Sequence, residues 1–131
     1  MICTAYLQGI LGIITNFLMP FVNFNTGKVV QIWDGISGTL AHSETSTFGH
    51  FTIESGTDLP EHSHVHEQWC HILEGELLFT IDGETALLTS GMTAFIPSWS
   101  PHSARAITKC KVIDCFTPVR EDFRAMDISQ N

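Results

Sequence analysis

The chain has 131 residues, 44% of them hydrophobic and 15% charged, a balance that fits one globular domain and excludes an intrinsically disordered segment. With 6 Lys and Arg against 14 Asp and Glu, its formal net charge is -8. It therefore has no basic face for a phosphate backbone, and nucleic acid is excluded as a partner.

Residues 1–18, MICTAYLQGILGIITNFL, carry no charged side chain. A signal peptide needs a basic leading region and a small-residue cleavage site. A membrane span needs roughly 20 strongly apolar residues, and Thr4, Gln8, Thr15 and Asn16 interrupt this run. Residues 1–26 are read as an N-terminal arm or as a mis-assigned start, with Met19-Pro20 as an alternative beginning. No membrane partner is expected.

From Lys28 onward, short apolar runs are cut by turn residues without a sustained 3.6-residue period, which predicts an all-β domain over residues 27–124. The predicted strands are Val29 to Trp33, Thr47 to Ser55, Gln68 to Leu73, Glu76 to Ile81, Glu84 to Leu88, Thr93 to Ile96, His102 to Ile107 and Lys111 to Phe116. Asp82-Gly83 is a two-residue hairpin signal, because a type I′ turn needs positive φ at both central positions. Gly91 opens another tight turn, and Pro97 and Pro101 bracket a loop free of ladder bonds. Residues 125–131 read as a loose or weakly helical tail.

Cys3, Cys70, Cys110 and Cys115 form no CxxC pair and no zinc-finger spacing. Cys110 and Cys115, an odd number of residues apart, face opposite sides of one strand. Reduced thiols and a cytoplasmic location follow as expectations.

Of seven histidines, His62, His64, His66 and His71 crowd into ten residues. On an extended strand His62 and His64 project to the same face, so two imidazoles can converge on one point. A buried polar pair of that kind needs partners. His42, His66 and His71 are read as solvated loop residues, and His50 as a strand residue on either face.

The pattern Gly56-x5-His62-x-His64-x3-Gln68-x6-Gly75 resembles the first motif of the cupin family, and Gly91-x5-Pro97-x4-His102 resembles the second, over about residues 50 to 116. The resemblance implies a single-domain double-stranded β-helix, a jelly-roll barrel. It also implies one divalent transition metal (Fe, Mn, Ni, Zn or Cu) held by His62, His64, Gln68 and His102. Gln68 stands where many cupins carry Glu, and Trp99 where the second motif usually has Gly. Three imidazoles and a neutral amide leave a cation its full charge, which favours a small anionic substrate. Glu67, adjacent to Gln68, falls on the opposite face of the strand unless a bulge intervenes.

The segment Val112-Ile-Asp-Cys-Phe-Thr-Pro-Val-Arg-Glu-Asp-Phe123 resembles the closing stretch of small cupins of the pectin-degradation type, which convert 4,5-unsaturated monouronates to the linear keto form. Val112, Asp114 and Phe116 share one face of a strand, which makes Asp114 the candidate general acid/base. The competing reading is a structural carboxylate bonded to backbone or to Arg105. Arg120 is a candidate for holding a substrate carboxylate through paired hydrogen bonds, and Trp99 for stacking on a sugar. Trp69 alternates outward from Gln68, while Cys70 should line the interior.

The expected activity is ring-opening and ketonisation of a 4,5-unsaturated monouronate from pectin or alginate breakdown. A non-catalytic ligand-binding module and an Fe(II) dioxygenase are the alternatives. A homodimer is expected, since apolar strands of a small barrel often pair across a two-fold axis.

Overall fold

The computed structural model describes residues 20–130. The readings of residues 1–18, of Cys3 and of most of the N-terminal arm lie outside the described residues. Among the described residues, no helix is long and apolar enough to cross a membrane.

The strands run β1 (Val30–Trp33), β2 (Ile36–His42), β3 (Thr47–Ile53), β4 (Asp58–His62), β5 (Glu67–Glu74), β6 (Leu77–Ile81), β7 (Glu84–Leu88), β8 (Thr93–Ile96), β9 (His102–Ala106) and β10 (Cys110–Thr117), followed by α1 (Glu121–Ser129). All pairings are antiparallel, in a six-stranded sheet ordered β1-β2-β3-β10-β5-β8 and a four-stranded sheet ordered β4-β9-β6-β7. This is the jelly-roll sandwich that the motif spacing implied.

Period-two alternation sets which side chains enter the sandwich. On β5, Gln68, Cys70 and Ile72 are buried while Trp69 and Leu73 are exposed. On β10, Cys110, Val112 and Phe116 turn inward, directly opposite the buried side chains of β3 and β5. The β6–β7 hairpin closes with Ile81 paired to Glu84 and with φ of 48° at Asp82 and 81° at Gly83, the left-handed pair that a type I′ turn demands. At Gly75 (φ 94°) a Cβ would sit 2.3 Å from the Lys109 carbonyl oxygen. No larger residue fits where β5 turns into β6.

Two strands escaped the sequence reading. β2, Ile-Ser-Gly-Thr-Leu-Ala-His, has few β-branched or aromatic residues, yet Ile36, Gly38 and Leu40 bury its inner edge. Asp34-Gly35, between Trp33 and Ile36, was the available signal. β4 contains Pro60, and the β4–β9 register slips between Leu59 and His62, the irregularity that admits a proline into a strand.

The chain after β10 also differs from expectation. A helix begins at Glu121, ahead of Ala125, with Glu121 and Asp122 in its first turn where they complement the helix dipole. Phe123, its buried residue, meets Phe116 and Phe51 edge-on at 5.4 and 6.3 Å between ring centroids. At its far end, Gln130 reaches the edge strand β1. Its Oε1 accepts the Gln31 backbone N–H at 2.8 Å, and its amide nitrogen donates to the Gln31 carbonyl at 2.9 Å.

Candidate metal centre

The two sheets enclose a cavity of about 510 Å³ lined at one end by His62, His64, Gln68, His102, Asp114 and Arg120. Its other walls are largely apolar and include Ile36, Phe51, Leu77 and Phe79. His62 closes β4, His102 opens β9, and the two are direct cross-strand partners. His64 lies in the connection after β4, so the one-strand explanation for His62 and His64 is corrected. They converge because the turn into β5 brings His64 back.

One ligating atom from each of His62, His64 and His102 lies within 4.8 Å of the others. Two nitrogens bound to one ion at about 2.0–2.1 Å stand at most roughly 4.2 Å apart, so only a small contraction separates this triangle from a coordination sphere. The tautomers are fixed by the backbone. His62 Nδ1 donates to the Pro60 carbonyl at 2.8 Å, His64 Nδ1 to that of His66 at 3.0 Å, and His102 Nδ1 to that of Ser100 at 2.8 Å. A carbonyl only accepts, so each neutral ring carries its proton on Nδ1 and offers the Nε2 lone pair.

Two observations test whether a cation fits. Among the described residues, the buried His102 Nε2 has no hydrogen-bond partner, which is costly for a polar atom unless something binds it. His64 Nε2 faces the Gln68 Oε1 at 3.2 Å, so two lone pairs meet where a positive charge would relieve them. Protonation does not supply that charge. Burial first, then Arg120 and His102, push the His64 pKa down to about 4, and burial likewise lowers that of His102.

The Gln68 amide is oriented from behind. Asp114 lies on β10 beside Cys70 of β5, and it accepts hydrogen bonds from the Cys70 thiol and the Gln68 side chain. A carboxylate accepts only from the amide nitrogen, which leaves Oε1 turned to the histidines. Burial raises the Asp114 pKa to about 6 against those two hydrogen bonds and Arg120, and its buried Oδ1 has no partner among the described residues. Cys70, buried and close to that carboxylate, has its thiol pKa raised well above the usual value. Arg105, the other partner considered for Asp114, instead pairs with Asp58 at 2.9 and 2.7 Å.

Arg120 is 11% exposed, with its guanidinium carbon 4.7 Å from the Phe116 ring centre and 3.8 Å from that of Phe123. Its Nε and Nη2 donate to the two Asp122 oxygens at 2.9 and 2.7 Å. The aromatic sandwich around Arg120 was not anticipated. Trp99 is not among the cavity-lining residues and is 63% exposed. It reaches the centre through its backbone N–H, which donates to the His64 carbonyl at 2.8 Å.

The histidines read as solvated loop residues are placed differently. His42 lies on β2, bonded to Thr47 and 3.7 Å from Asp127, and His71 lies on β5, bonded to Thr93. His66 is half-buried and packs edge-on against His64 at 5.4 Å.

Residues 49–116 match the family described as Cupin domain. The chain belongs to the cupin family. In three dimensions this cupin is similar to an RmlC-like cupin from Shewanella frigidimarina, with 27% identity and a TM-score of 0.76 over 80% of this chain and 96% of that one. KdgF from Halomonas sp. is similar at 24% identity and a TM-score of 0.72, covering 82% and 98% of the two chains. Salicylate 1,2-dioxygenase from Pseudoaminobacter salicylatoxidans, in complex with gentisate, is similar at 21% identity and a TM-score of 0.61, over 68% of this chain and 26% of the dioxygenase. No curated protein matches the chain in sequence.

Proposed function

We propose that this cupin is a metal-dependent enzyme that shifts a proton on a small sugar acid, and that its reaction is the ring-opening ketonisation of a 4,5-unsaturated monouronate from pectin or alginate breakdown. The observation that carries the reading is Asp114. Its carboxyl is buried in the cavity of the histidine triangle, has an unpartnered oxygen, and titrates near pH 6, which suits a group that both gives and takes protons. A divalent cation on His62, His64, Gln68 and His102 would supply Lewis acidity toward the substrate's oxygens.

In this reading Arg120, held rigid by Asp122 and the two phenylalanines, keeps its Nη1 for the sugar carboxylate. Ring opening breaks the hemiacetal carbon–ring oxygen bond, with the anomeric hydroxyl proton passing to the ring oxygen to leave an aldehyde and an enol; Asp114 then delivers a proton to the enol carbon while the enol hydroxyl loses one, so the product is an isomer and no external reductant or oxidant is consumed. The buried walls exclude water from the reacting carbon. Trp99, exposed beside the His64 loop, stacks on sugar outside the cavity or not at all.

Loss of the ultraviolet absorbance of an unsaturated monouronate is the direct test. Metal-loaded protein should accelerate it by many orders of magnitude, about 10⁶-fold or more, and an unchanged decay ends the proposal. Asp114→Asn should abolish turnover while leaving ligand affinity largely intact. Were the protein a binding module, no turnover would exist to lose.

The apolar remainder of the cavity favours a second reading, an Fe(II) dioxygenase acting on an aromatic acid. Oxygen uptake by the iron-loaded protein with aromatic acids would support it over the isomerase.

A further inference from the structure

The cavity is longer than a ring-opening reaction needs. β4 forms one wall from His62 back to Leu59, and Thr57 continues that wall beyond the strand. At about 3.3 Å per residue, the steps from His62 to Thr57 cover roughly 16 Å. A six-carbon acid, even fully extended, spans about 7 Å. With its carboxylate at Arg120 and the histidines, a monouronate leaves the half of the trough nearer Thr57 unfilled.

That half is apolar. Its floor is Ala104 of β9, whose direct cross-strand partners are Leu59 on β4 and Phe79 on β6. A methyl group between two large side chains leaves a channel one strand wide, which admits a polymethylene chain more readily than a flat ring. Met126 of α1 lines the facing wall, with Ile32 and Trp33 of β1. Consecutive strand residues ordinarily point to opposite faces, yet Ile32 and Trp33 both line the cavity. The reason is a bulge: the β1–β2 register slips between Gln31 and Trp33, a distortion that re-aims a side chain. It is held on both sides, since the Gln31 side-chain amide donates to the Trp33 carbonyl and Gln130 pairs with the Gln31 backbone. Trp33 stands at the level of Thr57, because Gly35, two residues on, lies against the Thr57 side chain too closely for a Cβ. Thr57 and the exposed Glu61 are the polar residues on this stretch of wall.

We propose that the trough binds a linear alkyl carboxylate of about ten to twelve carbons, its carboxylate at Arg120 and its tail running over Ala104 to end against Trp33. Of the chain's three tryptophans, Trp33 is the one that lines the cavity. The guanidinium of Arg120, largely shielded from water, supplies the charge that an anionic head requires. Removal of the methylenes from water against the apolar walls supplies the rest of the affinity. This ligand goes beyond the isomerase reading and does not depend on it, because nothing in its binding requires it to react.

Isothermal titration calorimetry of the full chain with hexanoate, octanoate, decanoate and dodecanoate tests the proposal, on protein as purified and after chelator treatment. In both states affinity should rise about fourfold for each added methylene, with a negative heat-capacity change. Decanol, which keeps the tail and lacks the anion, should bind about tenfold or more weakly than decanoate. Trp33→Ala should weaken decanoate binding about tenfold and leave hexanoate unchanged, whereas Leu87→Ala, on the exposed face of the other sheet, should alter neither. Should Trp33→Ala fail to fold, the chain-length series on the wild-type protein decides by itself. No decanoate binding at millimolar concentration, an affinity independent of chain length, or tighter binding of 2-naphthoate than of decanoate, the mark of a site shaped for a ring, would each overturn the proposal. No turnover enters these measurements, so their failure is distinct from a failure of the isomerase assay.

Discussion

Trp99 holds a φ of 64° with its side chain in solvent, a conformation costing about 1–2 kcal/mol for a residue with a Cβ. Glycine, the usual residue here in the second cupin motif, adopts it freely but loses more chain entropy on folding. Trp99→Gly should therefore stabilise the protein by about 0.5–1 kcal/mol in denaturant unfolding, and a destabilised variant would show that the indole has a role the structure does not display. Asp114 and His64 act on stability in opposite directions. His64 and His102 protonate less readily in the fold than unfolded, so their contribution is complete above about pH 6.5 and is lost as pH falls below it, for His64 down to about 4. Asp114 keeps its proton to about pH 6 in the fold against 3.8 unfolded, so its contribution is complete at low pH and lost as pH rises through 6. Over pH 4 to 6 it offsets one histidine. Asp114→Asn removes that offset, and the metal-free protein should then gain stability more steeply with pH, by about 1.4 kcal/mol per pH unit. Parallel wild-type and variant profiles would mean that Asp114 is ionised throughout.

At the scale of elements, the helix α1 docks through one buried side chain, Phe123, and through polar contacts at its edges, including Lys28 with Asp127 and Arg124 with the Ser43 carbonyl. Phe123→Ala should cost about 3 kcal/mol or more and release Arg120 from its ring partner. Hydrogen exchange should show α1 opening ahead of the sheets, whereas uniform destabilisation would mean that helix and sandwich unfold as one unit. The strands were legible wherever alternation was strong, as at β5 and β10. β2 was not, because Ser37, Gly38 and Thr39 interrupt its apolar run and Gly38, Thr39 and Leu40 are buried in succession, so alternation fails there. His62, Gln68 and His102 could be placed from motif spacing alone. What spacing could not reveal was Asp114 beside Cys70 and Gln68 or Arg120 held over Phe116 and Phe123, since those contacts depend on which strands and turns become neighbours.

Across the whole molecule, the candidate metal site ties any cation it takes up to folding, because its three histidines come from β4, the following connection and β9 and converge only in the native state. At a metal concentration 100 times the dissociation constant, the folded state should gain about 2.7 kcal/mol, or roughly 10 °C in Tm. Chelator should reverse the gain, and His102→Ala should abolish most of it. A Tm indifferent to every divalent metal would remove the premise on which the catalytic reading stands.

The contact between Gln130 and Gln31 has one more effect. β1 is the outermost member of its sheet, where an unsatisfied N–H and C=O would otherwise invite a foreign strand to add on. A primary amide reproduces the donor and acceptor of a peptide unit, so this one side chain behaves as a single-residue stopper against fibril-like growth. Its removal should show itself first as a loss of colloidal stability on storage.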